Sequence, residues 1–407
     1  MNISVSEITR YIEEEDVKFI RLAFCDIFGR QKNVSIMPGE LERAFEYGIS
    51  IDGSAIAGFG GIVHSDLFLR PDPMTISVLP WRPEHGRVVR MFCDIYDAGG
   101  NPFSADTRRI LKQAVKTAAE SGVSFFFGSE IEFYLFKTDE NGRPTDEPYD
   151  EAGYMDIAPE DKGENVRREI CLTLEQMGIR PESSHHEEGP GQNEIDFRFA
   201  DPLTAADNTT TFCSAVKTIA ARDGLFADLS PKPISHRPGN GFHINISAKK
   251  EGGGDLLMPV VAGILDRIRE MTLFLNRRDD SYRRLGQQKA PGFISWSPEN
   301  RSQLIRIPAA VGDYRRAELR SPDPLANPYL AFALLIHAAQ EGIDGNKQPP
   351  EPVNIDFYGT DPSVLFGSEM LPQTREEAVS YAKNSDFIAG VLPAALTERY
   401  CKGEKPR

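Results

Sequence analysis

The stretch SEIEFYLF, residues 129–136, places two carboxylates one residue apart in an otherwise aliphatic and aromatic run. Successive side chains of a strand point to opposite faces, so Glu130 and Glu132 share one face while Ile131 and Phe133 share the other. Carboxylates on a largely buried strand need positive charge nearby. The run therefore predicts a strand with one face on the core and the other on a site that holds cations.

Three further runs alternate between polar and apolar side chains in the same way. Their polar faces consist of Glu194, Asp196 and Arg198 in EIDFRF, of His243, Asn245 and Ser247 in FHINIS, and of Arg316, Glu318 and Arg320 in RAELR. One such strand alone is usually the solvated face of an antiparallel sheet. Because all four carry Glu, His or Arg and are bounded by Gly or Pro turns, we predict that they line one polar cavity.

The carboxylates of this cavity cannot all stay ionised unless cations neutralise them. The candidate acids are Glu130, Glu132, Glu194, Glu318 and, from the neighbouring HHEEGPG loop, Glu187. Together with the imidazole of His243, they are enough to hold two divalent ions with three protein ligands each. Ligation that is rich in oxygen favours Mg²⁺ or Mn²⁺ over zinc.

Arginines supply the opposite charge. The run NRSQLIRIP adds Arg301 and Arg306 to Arg316 and Arg320. Divalent ions facing guanidinium groups suit phosphoryl transfer, because both share the charge spread over the phosphoryl oxygens. The sequence contains no GxxxxGK[ST] loop, which argues against a P-loop enzyme, and HHEEG lacks the HExxH spacing of many zinc proteases.

The length of 407 residues exceeds what a single core usually supports, so two domains are expected. The break at DAGGNPFSAD, with its Gly pair and Pro, predicts a boundary that gives domains 1–100 and 101–407. The formal charge of -15 argues against nucleic acid or an anionic membrane as a partner.

The five cysteines are widely spaced and form no CxxC pair, which favours a reducing compartment. The first residues are acidic where a signal peptide would be basic, and the longest apolar run, YLAFALLIHAA, is too short to span a bilayer. We therefore expect a soluble cytoplasmic protein.

Eight motifs that cover most of the chain occur in the order found in one family. They are DGSAIAGF, SEIEFYLF, GYMDIAPED, SHHEEGPGQNEIDF, PKPI, GFHINIS, NRSQLIRIP and ELRSPDPLANPYLAFALL. In these motifs the chain resembles glutamine synthetase, particularly the bacterial type I form. The resemblance implies an α+β protomer with a small β-grasp-like amino-terminal domain and a larger catalytic domain, in which a funnel of antiparallel strands is surrounded by helices. It also implies a homo-oligomeric ring whose active sites lie at subunit interfaces.

The resemblance further implies a role for each matching residue. One metal would be held by Glu132, Glu187 and Glu194, and the other by Glu130, His243 and Glu318. The ATP site would include Glu182, Ser247, Arg301, Arg306 and Arg316, with Arg301 and Arg316 also stabilising phosphoryl transfer. The amino-acid substrate would contact Gly239, Arg284 and Arg320, and the ammonium site would include Tyr154 and, from a neighbouring subunit, Asp52.

The implied reaction is the ATP-dependent joining of glutamate and ammonia through γ-glutamyl phosphate, with Mg²⁺ or Mn²⁺ as cofactor. Two alternatives stay open. One is a related ligase that joins glutamate or a similar acid to an organic amine, forming a γ-glutamyl amide or polyamine. The other is a catalytically silent scaffold or sensor on the same fold.

Three departures from the family pattern motivate these alternatives. The flap that reads RLVPGYEAP in the family reads RLGQQKAP here, so Lys289 lies near the position of an acid. The family's NGSGMH loop reads PGNGFH, with Pro238 in place of Asn. The chain also ends at RYCKGEKPR without the carboxy-terminal helical segment that joins two rings in the family, so we expect a single ring or a weakly paired double ring.

Overall fold

The computed structural model describes residues 4–61, 63, 65–82, 85–287, 289–360 and 369–403. Within these residues the chain forms two β-sheets and eleven α-helices. The strands of the first sheet are β1 (Val17–Cys25), β2 (Gln31–Ile36), β3 (Ile49–Asp52), β4 (Asp66–Pro71), β5 (Ser77–Val78) and β6 (Arg87–Asp97). Those of the second are β7 (Val123–Thr138), β8 (Pro144–Pro148), β9 (Pro181–His186), β10 (Gln192–Ala200), β11 (Leu225–Asp228), β12 (Phe242–Lys250), β13 (Trp296–Pro298), β14 (Ile305–Ile307) and β15 (Ala317–Leu319).

The helices divide between the two sheets. They are α1 (Val5–Glu14), α2 (Leu41–Glu46), α3 (Thr107–Glu120), α4 (Glu164–Gln176), α5 (Pro202–Arg222), α6 (Leu257–Leu275), α7 (Asp279–Arg284), α8 (Pro328–Asp344), α9 (Arg375–Lys383), α10 (Asp386–Val391) and α11 (Ala394–Lys402). A small sheet with two helices precedes a larger sheet with nine. This arrangement confirms the predicted α+β class, while the division at residue 100 stays a prediction.

The first sheet has the strand order β2-β1-β6-β4-β3, with β5 on β6. Strands β1 and β6 are parallel, and the other pairs are antiparallel. Helix α1 begins at a capping box in which Ser4 and Glu7 satisfy each other's backbone N–H groups. Its buried residues Ile8 and Ile12 join the core of this sheet.

The second sheet is built around β7, which is 16 residues long and pairs with β10, β12, β8 and β11. The central order is β13-β14-β15-β12-β7-β10-β9. Helix α8 lies behind it, and the ring of Phe332 stacks on Phe127 of β7 with centroids 4.3 Å apart. Helices α6 and α8 approach closely at Gly263 and Gly342. A Cβ atom at either position would lie about 2 Å from a carbonyl oxygen of the other helix, so the absence of a side chain at both glycines permits this packing.

A buried ion cluster joins the first sheet to the helices of the second. The guanidinium of Arg108 on α3 contacts Asp72 and Asp94, which belong to the first sheet's part of the chain, at 2.9 and 3.1 Å. It also makes two hydrogen bonds to Asp207 on α5, at 3.0 and 2.9 Å. The hydroxyl of Tyr329 on α8 donates to the same Asp207. One arginine therefore fixes four segments relative to one another.

We expect Arg108→Ala to lower the free energy of unfolding by about 3–5 kcal/mol, because it leaves buried carboxylates without their counter-charge. Urea denaturation followed by circular dichroism would measure the loss. Arg109→Ala, at the exposed neighbouring position on the same helix, is the matched control. Equal midpoints for the two variants would contradict this role for Arg108.

Candidate active site

The four strands with polar faces are direct neighbours, in the order β15-β12-β7-β10. Glu130 of β7 is in register with His243 of β12 and with Asp196 of β10. Glu132 is in register with Glu194. The four strands therefore share one sheet, and the pairing places their acids side by side, which supports the prediction of one polar cavity.

The predicted ligands fall into overlapping groups. Atoms of Glu130, His243 and Glu318 that could bind a metal lie within 4.8 Å of one another, as expected if these three residues hold one ion. The Nδ1 atom of His243 is 3.5 Å from Glu130 and 3.9 Å from Glu318, and its Nε2 atom is 3.8 Å from Glu132. The imidazole therefore lies between the two predicted metal positions.

The other predicted ligand set, Glu132, Glu187 and Glu194, is less compact. Glu194 groups with Glu132 and His243 on one side, and with His185 and Glu187 on the other. His185, which the sequence analysis did not assign to the site, has its Nε2 atom 3.2 Å from Glu194. The all-polar run SSHHEE has no alternation that would mark His185, which joins the site because β9 pairs with β10 and places it opposite Glu194.

Burial and mutual repulsion set the charges of this cluster. Although burial opposes ionisation, contacts with His243, Asn245 and Arg316 lower the pKa of Glu130 to about 2. Burial and the neighbouring acids raise the pKa of Glu194 well above its usual range, and they raise the pKa of Asp196 to about 7. The hydrogen bond to Glu194 raises the pKa of His185 to about 9. The protein's own cations thus neutralise only part of the cluster, and the remaining carboxylates suit divalent cations.

Arginines on and near strands β14 and β15 contact the acids of the cluster. Fully buried Glu318 accepts a hydrogen bond from Nη1 of Arg306 at 2.7 Å and another from Arg320. Arg316 donates to Asn245 at 2.8 Å, and its Nη2 atom is 3.9 Å from Glu130. Arg301 is exposed, and its charge acts on the Tyr154 hydroxyl. The candidate metal ligands and the guanidinium groups of these arginines therefore lie side by side.

Arg284 packs against the glycine-containing segment 239–241. The Nη1 atom of Arg284 donates to the carbonyl of Ser321 at 2.8 Å. A Cβ at Gly239 would lie 2.9 Å from the Arg284 side chain, and the Gly241 N–H donates to Glu132. Among the described residues, the buried Nε atoms of Arg284 and Arg320 have no hydrogen-bond partner. Both arginines therefore keep a donor available near the acids.

Other predicted residues lie at or beyond the rim of the cluster. Tyr154 packs its ring against His185 at 5.4 Å between centroids, Ser247 is half-buried on β12, and Glu182 is exposed on β9. Asp52 is exposed at the end of β3, where its side chain accepts hydrogen bonds from Ser54. Within the described chain, Asp52 makes no contact with the carboxylate cluster, as expected for a residue that acts in the site of a neighbouring subunit.

Lys289 lies between Tyr154 and the loop that carries the acids. Its Nζ atom is 3.5 Å from Glu188 and 5.7 Å from the centroid of the Tyr154 ring. Its charge also acts on the carboxyl of Glu187, whose pKa is raised by burial and by Glu132 despite this cation. The cation that departs from the family pattern therefore faces the rim of the acidic cluster.

Comparison with known proteins identifies the family. The model for the glutamine synthetase β-grasp domain matches residues 16–98, and the model for the glutamine synthetase catalytic domain matches residues 104–405. The first match confirms the predicted β-grasp-like amino-terminal part. Among the described residues, no helix combines the length and apolar character needed to cross a membrane.

Curated relatives named glutamine synthetase align with nearly the whole chain. The one from Clostridium saccharobutylicum is 43% identical and the alignment covers 98% of this chain and 93% of the relative. The one from Methanosarcina mazei is 44% identical, with coverage of 97% and 92%. Relatives from Staphylococcus aureus are 41% identical, with coverage of 95% and 90%.

Solved structures agree with this result. A chain titled "GmaS/ADP complex-Conformation 1" is similar with a TM-score of 0.88 and 28% identity, covering 99% of this chain and 94% of the other. A structure titled "Apo GmaS without ligand" has a TM-score of 0.87 at the same identity, with coverage of 98% and 94%. The protein therefore belongs to the glutamine synthetase family, whose members are ATP-dependent ligases that form C–N bonds and use divalent metal ions.

Proposed function

We propose that this protein is a glutamate–ammonia ligase, which uses ATP to form γ-glutamyl phosphate and ammonia to convert it to glutamine. The observation that carries the proposal is the position of Arg306, Arg316 and Arg320 directly beside the group of Glu130, His243 and Glu318. Phosphoryl transfer needs this pairing of a cation site with guanidinium groups. The names of the 41–44% identical relatives support the choice of reaction.

We propose Mg²⁺ or Mn²⁺ as the cofactor, with two or more ions per site. Glu130, His243 and Glu318 would hold one ion, and Glu132, Glu187 and Glu194 would hold another. The donor set of five carboxylates and one imidazole suits hard cations better than zinc. When bound, such ions polarise phosphoryl oxygens and offset their charge.

The arginines would bind and orient the two substrates. Nucleotide phosphates would contact Arg301, Arg306 and Arg316, and Glu182 and Ser247 would complete the ATP site. Arg284 and Arg320 would bind the α-carboxylate of glutamate, and their unpartnered Nε atoms support this assignment. Gly239 would also contact the amino-acid substrate, and its segment packs directly on Arg284, because a Cβ there would lie 2.4 Å from the carbonyl of Pro231 and 2.9 Å from the Arg284 side chain.

The chemistry then takes two displacement steps. An oxygen of the γ-carboxylate attacks the γ-phosphorus of ATP, and ADP leaves. The nitrogen of ammonia attacks the carbonyl carbon of the acyl phosphate, the C–O bond to phosphate breaks, and the nitrogen loses a proton to a base. Asp52 and Tyr154 are the proposed parts of the ammonium site, with Asp52 as the proton acceptor or cation ligand.

We also propose that the chain forms a homo-oligomeric ring in which Asp52 enters the active site of the adjacent subunit. The exposure of Asp52 on the first sheet supports this assignment. In the described part of the chain all five cysteines are free thiols, which supports a cytoplasmic location.

A second candidate function is the transfer of the γ-glutamyl group to an organic amine. Lys289 favours it, because a cation beside Tyr154 repels ammonium and its stem offers apolar contact to a larger acceptor. Its ion pair with Glu188 offsets part of that repulsion. The small-molecule acceptor is therefore the point on which the two candidate functions differ.

The assay that decides between them is ATP-dependent phosphate release with glutamate and Mg²⁺ or Mn²⁺, run with ammonium and with a panel of small amines. We expect glutamine from ammonium, identified by product mass. Turnover with an organic amine alone would replace the proposal by the second candidate. Silence with every acceptor would favour the scaffold or sensor, or another acid substrate.

Glu318→Gln should lower phosphate release by about 100-fold or more, because loss of one ligand charge removes several kcal/mol of transition-state stabilisation. Titration with Mn²⁺ followed by electron paramagnetic resonance should show one tight ion fewer per subunit. Glu299→Gln is the control, because Glu299 is exposed at the end of β13. Full turnover and full Mn²⁺ binding by Glu318→Gln would refute the metal assignment.

The shared site predicts complementation between two inactive variants. Asp52→Asn keeps an acceptor for the Ser54 hydrogen bonds but cannot take up a proton, and Glu318→Gln lacks a metal ligand. When the two are co-expressed in equal amounts, about a quarter of the interfaces should combine intact Asp52 with intact Glu318. Activity should therefore recover to about a quarter of wild type. No recovery in verified mixed rings would contradict a site formed by two subunits.

Lys289→Gln should lower the KM for ammonium about fivefold, because removal of one like charge at close range is worth about 1 kcal/mol. Steady-state kinetics at fixed pH and ionic strength would measure it. Lys162→Gln, at an exposed lysine, is the matched control. A higher KM for ammonium in Lys289→Gln would show that Lys289 does not oppose ammonium binding.

A further inference from the structure

The side chain of Gln192 lies between the candidate metal ligands and the segment 239–241. Gln192 is the first residue of β10, and none of its surface is exposed. Its Nε2 atom donates to Oε2 of Glu132 at 3.0 Å and to the carbonyl of Gly239 at 3.2 Å. Its Oε1 atom accepts from the backbone N–H of Gly189 at 3.0 Å. One buried amide therefore contacts a predicted metal ligand, the segment 239–241 and the HHEEGPG loop.

The hydrogen-bond partners fix the orientation of this amide. A backbone N–H can only donate, so the atom that faces Gly189 must be the side-chain oxygen of Gln192. The side-chain nitrogen then faces Glu132 and Gly239, whose oxygens accept. Because the position is fully buried, loss of the amide would leave polar groups of three segments without these partners.

The contacts of Glu132 determine which of its oxygens is directed toward the predicted metal positions. Its Oε2 atom accepts from Gln192 and also from the backbone N–H of Gly241, at 2.9 Å. Its Oε1 atom lies 3.8 Å from the Nε2 atom of His243, the imidazole between the two predicted ions. Two donors therefore hold one oxygen of the carboxylate and leave the other for the ion.

The loop that carries Glu187 is held by the same glutamine. The backbone N–H of Glu187 donates to the carbonyl of Gln192 at 2.8 Å, and the backbone N–H of Gln192 donates to the carbonyl of Gly189 at 2.9 Å. A Cβ at Gly189 would lie 2.0 Å from the hydroxyl oxygen of Tyr134 and 2.8 Å from Oε1 of Gln192, so the loop packs directly on both side chains. Gln192 therefore restrains Glu132 and Glu187 relative to each other, and both are ligands predicted for the same ion.

The segment 239–241 is held from two sides. Tyr134 is in register with Gln192, and its hydroxyl donates to the carbonyl of Pro238 at 2.7 Å. Donors from β7 and β10 thus reach the consecutive carbonyls of residues 238 and 239. On the other side, the Asn240 amide donates to two carbonyls at and just after the end of β11, at 3.1 and 2.9 Å. Gln192 is therefore the side chain that joins this segment to a predicted metal ligand.

We propose that Gln192 is a positioning residue that links one metal position to the binding of the acid substrate. It directs one oxygen of Glu132 toward the ion and holds Gly239 in the segment that packs on Arg284. A segment that is already held in its bound conformation costs less free energy to order when the substrate binds. The link to the acid substrate rests on the proposed function, whereas the effect on metal affinity depends only on the contacts of Glu132.

Titration of Gln192→Met with Mn²⁺, followed by electron paramagnetic resonance without substrates, would test the effect on the metal. Methionine is similar in length but has no amide. We expect the ion at Glu132 to bind about 10- to 100-fold more weakly than in wild type, because partners that orient a metal ligand have effects of this size. The ion at Glu130 and Glu318 should bind within about threefold of wild type. Equal weakening of both ions, or no weakening of either, would overturn the proposal.

Isothermal titration with glutamate, without ATP and at a Mn²⁺ concentration that saturates each protein, would test the link to the substrate. We expect the Kd for glutamate to be at least about fivefold higher in Gln192→Met than in wild type, because the segment 239–241 loses one of its anchors. An unchanged Kd for glutamate would overturn the link. No glutamate binding by wild type would overturn the proposed function and the link together, while the Mn²⁺ titration would still decide whether Gln192 positions Glu132.

Two further variants separate positioning from a general loss of structure. Gln340→Met makes the same substitution at a buried position of α8, where the amide donates to Asp344 at 2.7 Å, and should leave both affinities within about twofold of wild type. Weakening in Gln340→Met equal to that in Gln192→Met would refute the proposal. Gln192→Asn keeps an amide on a side chain that is shorter by one methylene, so we expect intermediate weakening. If circular dichroism shows that Gln192→Met does not fold, Gln192→Asn provides the same test, and wild-type affinities in a folded Gln192→Asn would overturn the proposal.

Discussion

The burial of several carboxylates on neighbouring strands is the constraint on which the rest of this structure depends. Glu130 and Glu132 are forced onto one face of β7 by the strand geometry, and the register of β10 and β12 brings Glu194 and His243 beside them. Such a cluster is stable only if each charge is paired, protonated or bound to a cation. The arginines of β14 and β15, the imidazoles and the proposed divalent ions all meet this one requirement.

The apolar face of the same sheet explains how such a cluster can be held rigidly. Phe127 and Ile131 point away from the acids into a core completed by α8, and the contact of Gly263 with Gly342 lets α6 pack against that helix. Arg108 extends the rigid unit to the first sheet through three aspartates. The position of each metal-binding oxygen thus depends on packing behind the sheet as well as on the site itself.

Family membership and acceptor choice rest on different residues. The family match extends over nearly the full chain and includes the strands that carry the acids and arginines, which we propose as the site of ATP-dependent carboxylate activation. Under the proposed function, the choice of acceptor depends on the rim, where Lys289, Glu188 and Tyr154 meet on loops. Loops can change without disturbing the sheet, and for this reason one fold can serve several acceptors.

Side-chain alternation and motif order are local properties of the chain, so the four alternating strands, the candidate ligands and the family could be predicted before the fold was known. The start of α8 at Asn327 and Pro328 is also a local feature, since capping depends on adjacent residues. The contacts of Glu318 with two arginines and of His185 with Glu194 became visible only in the folded structure. These contacts join residues distant in sequence, and their geometry depends on strand register and helix packing, which no local pattern specifies.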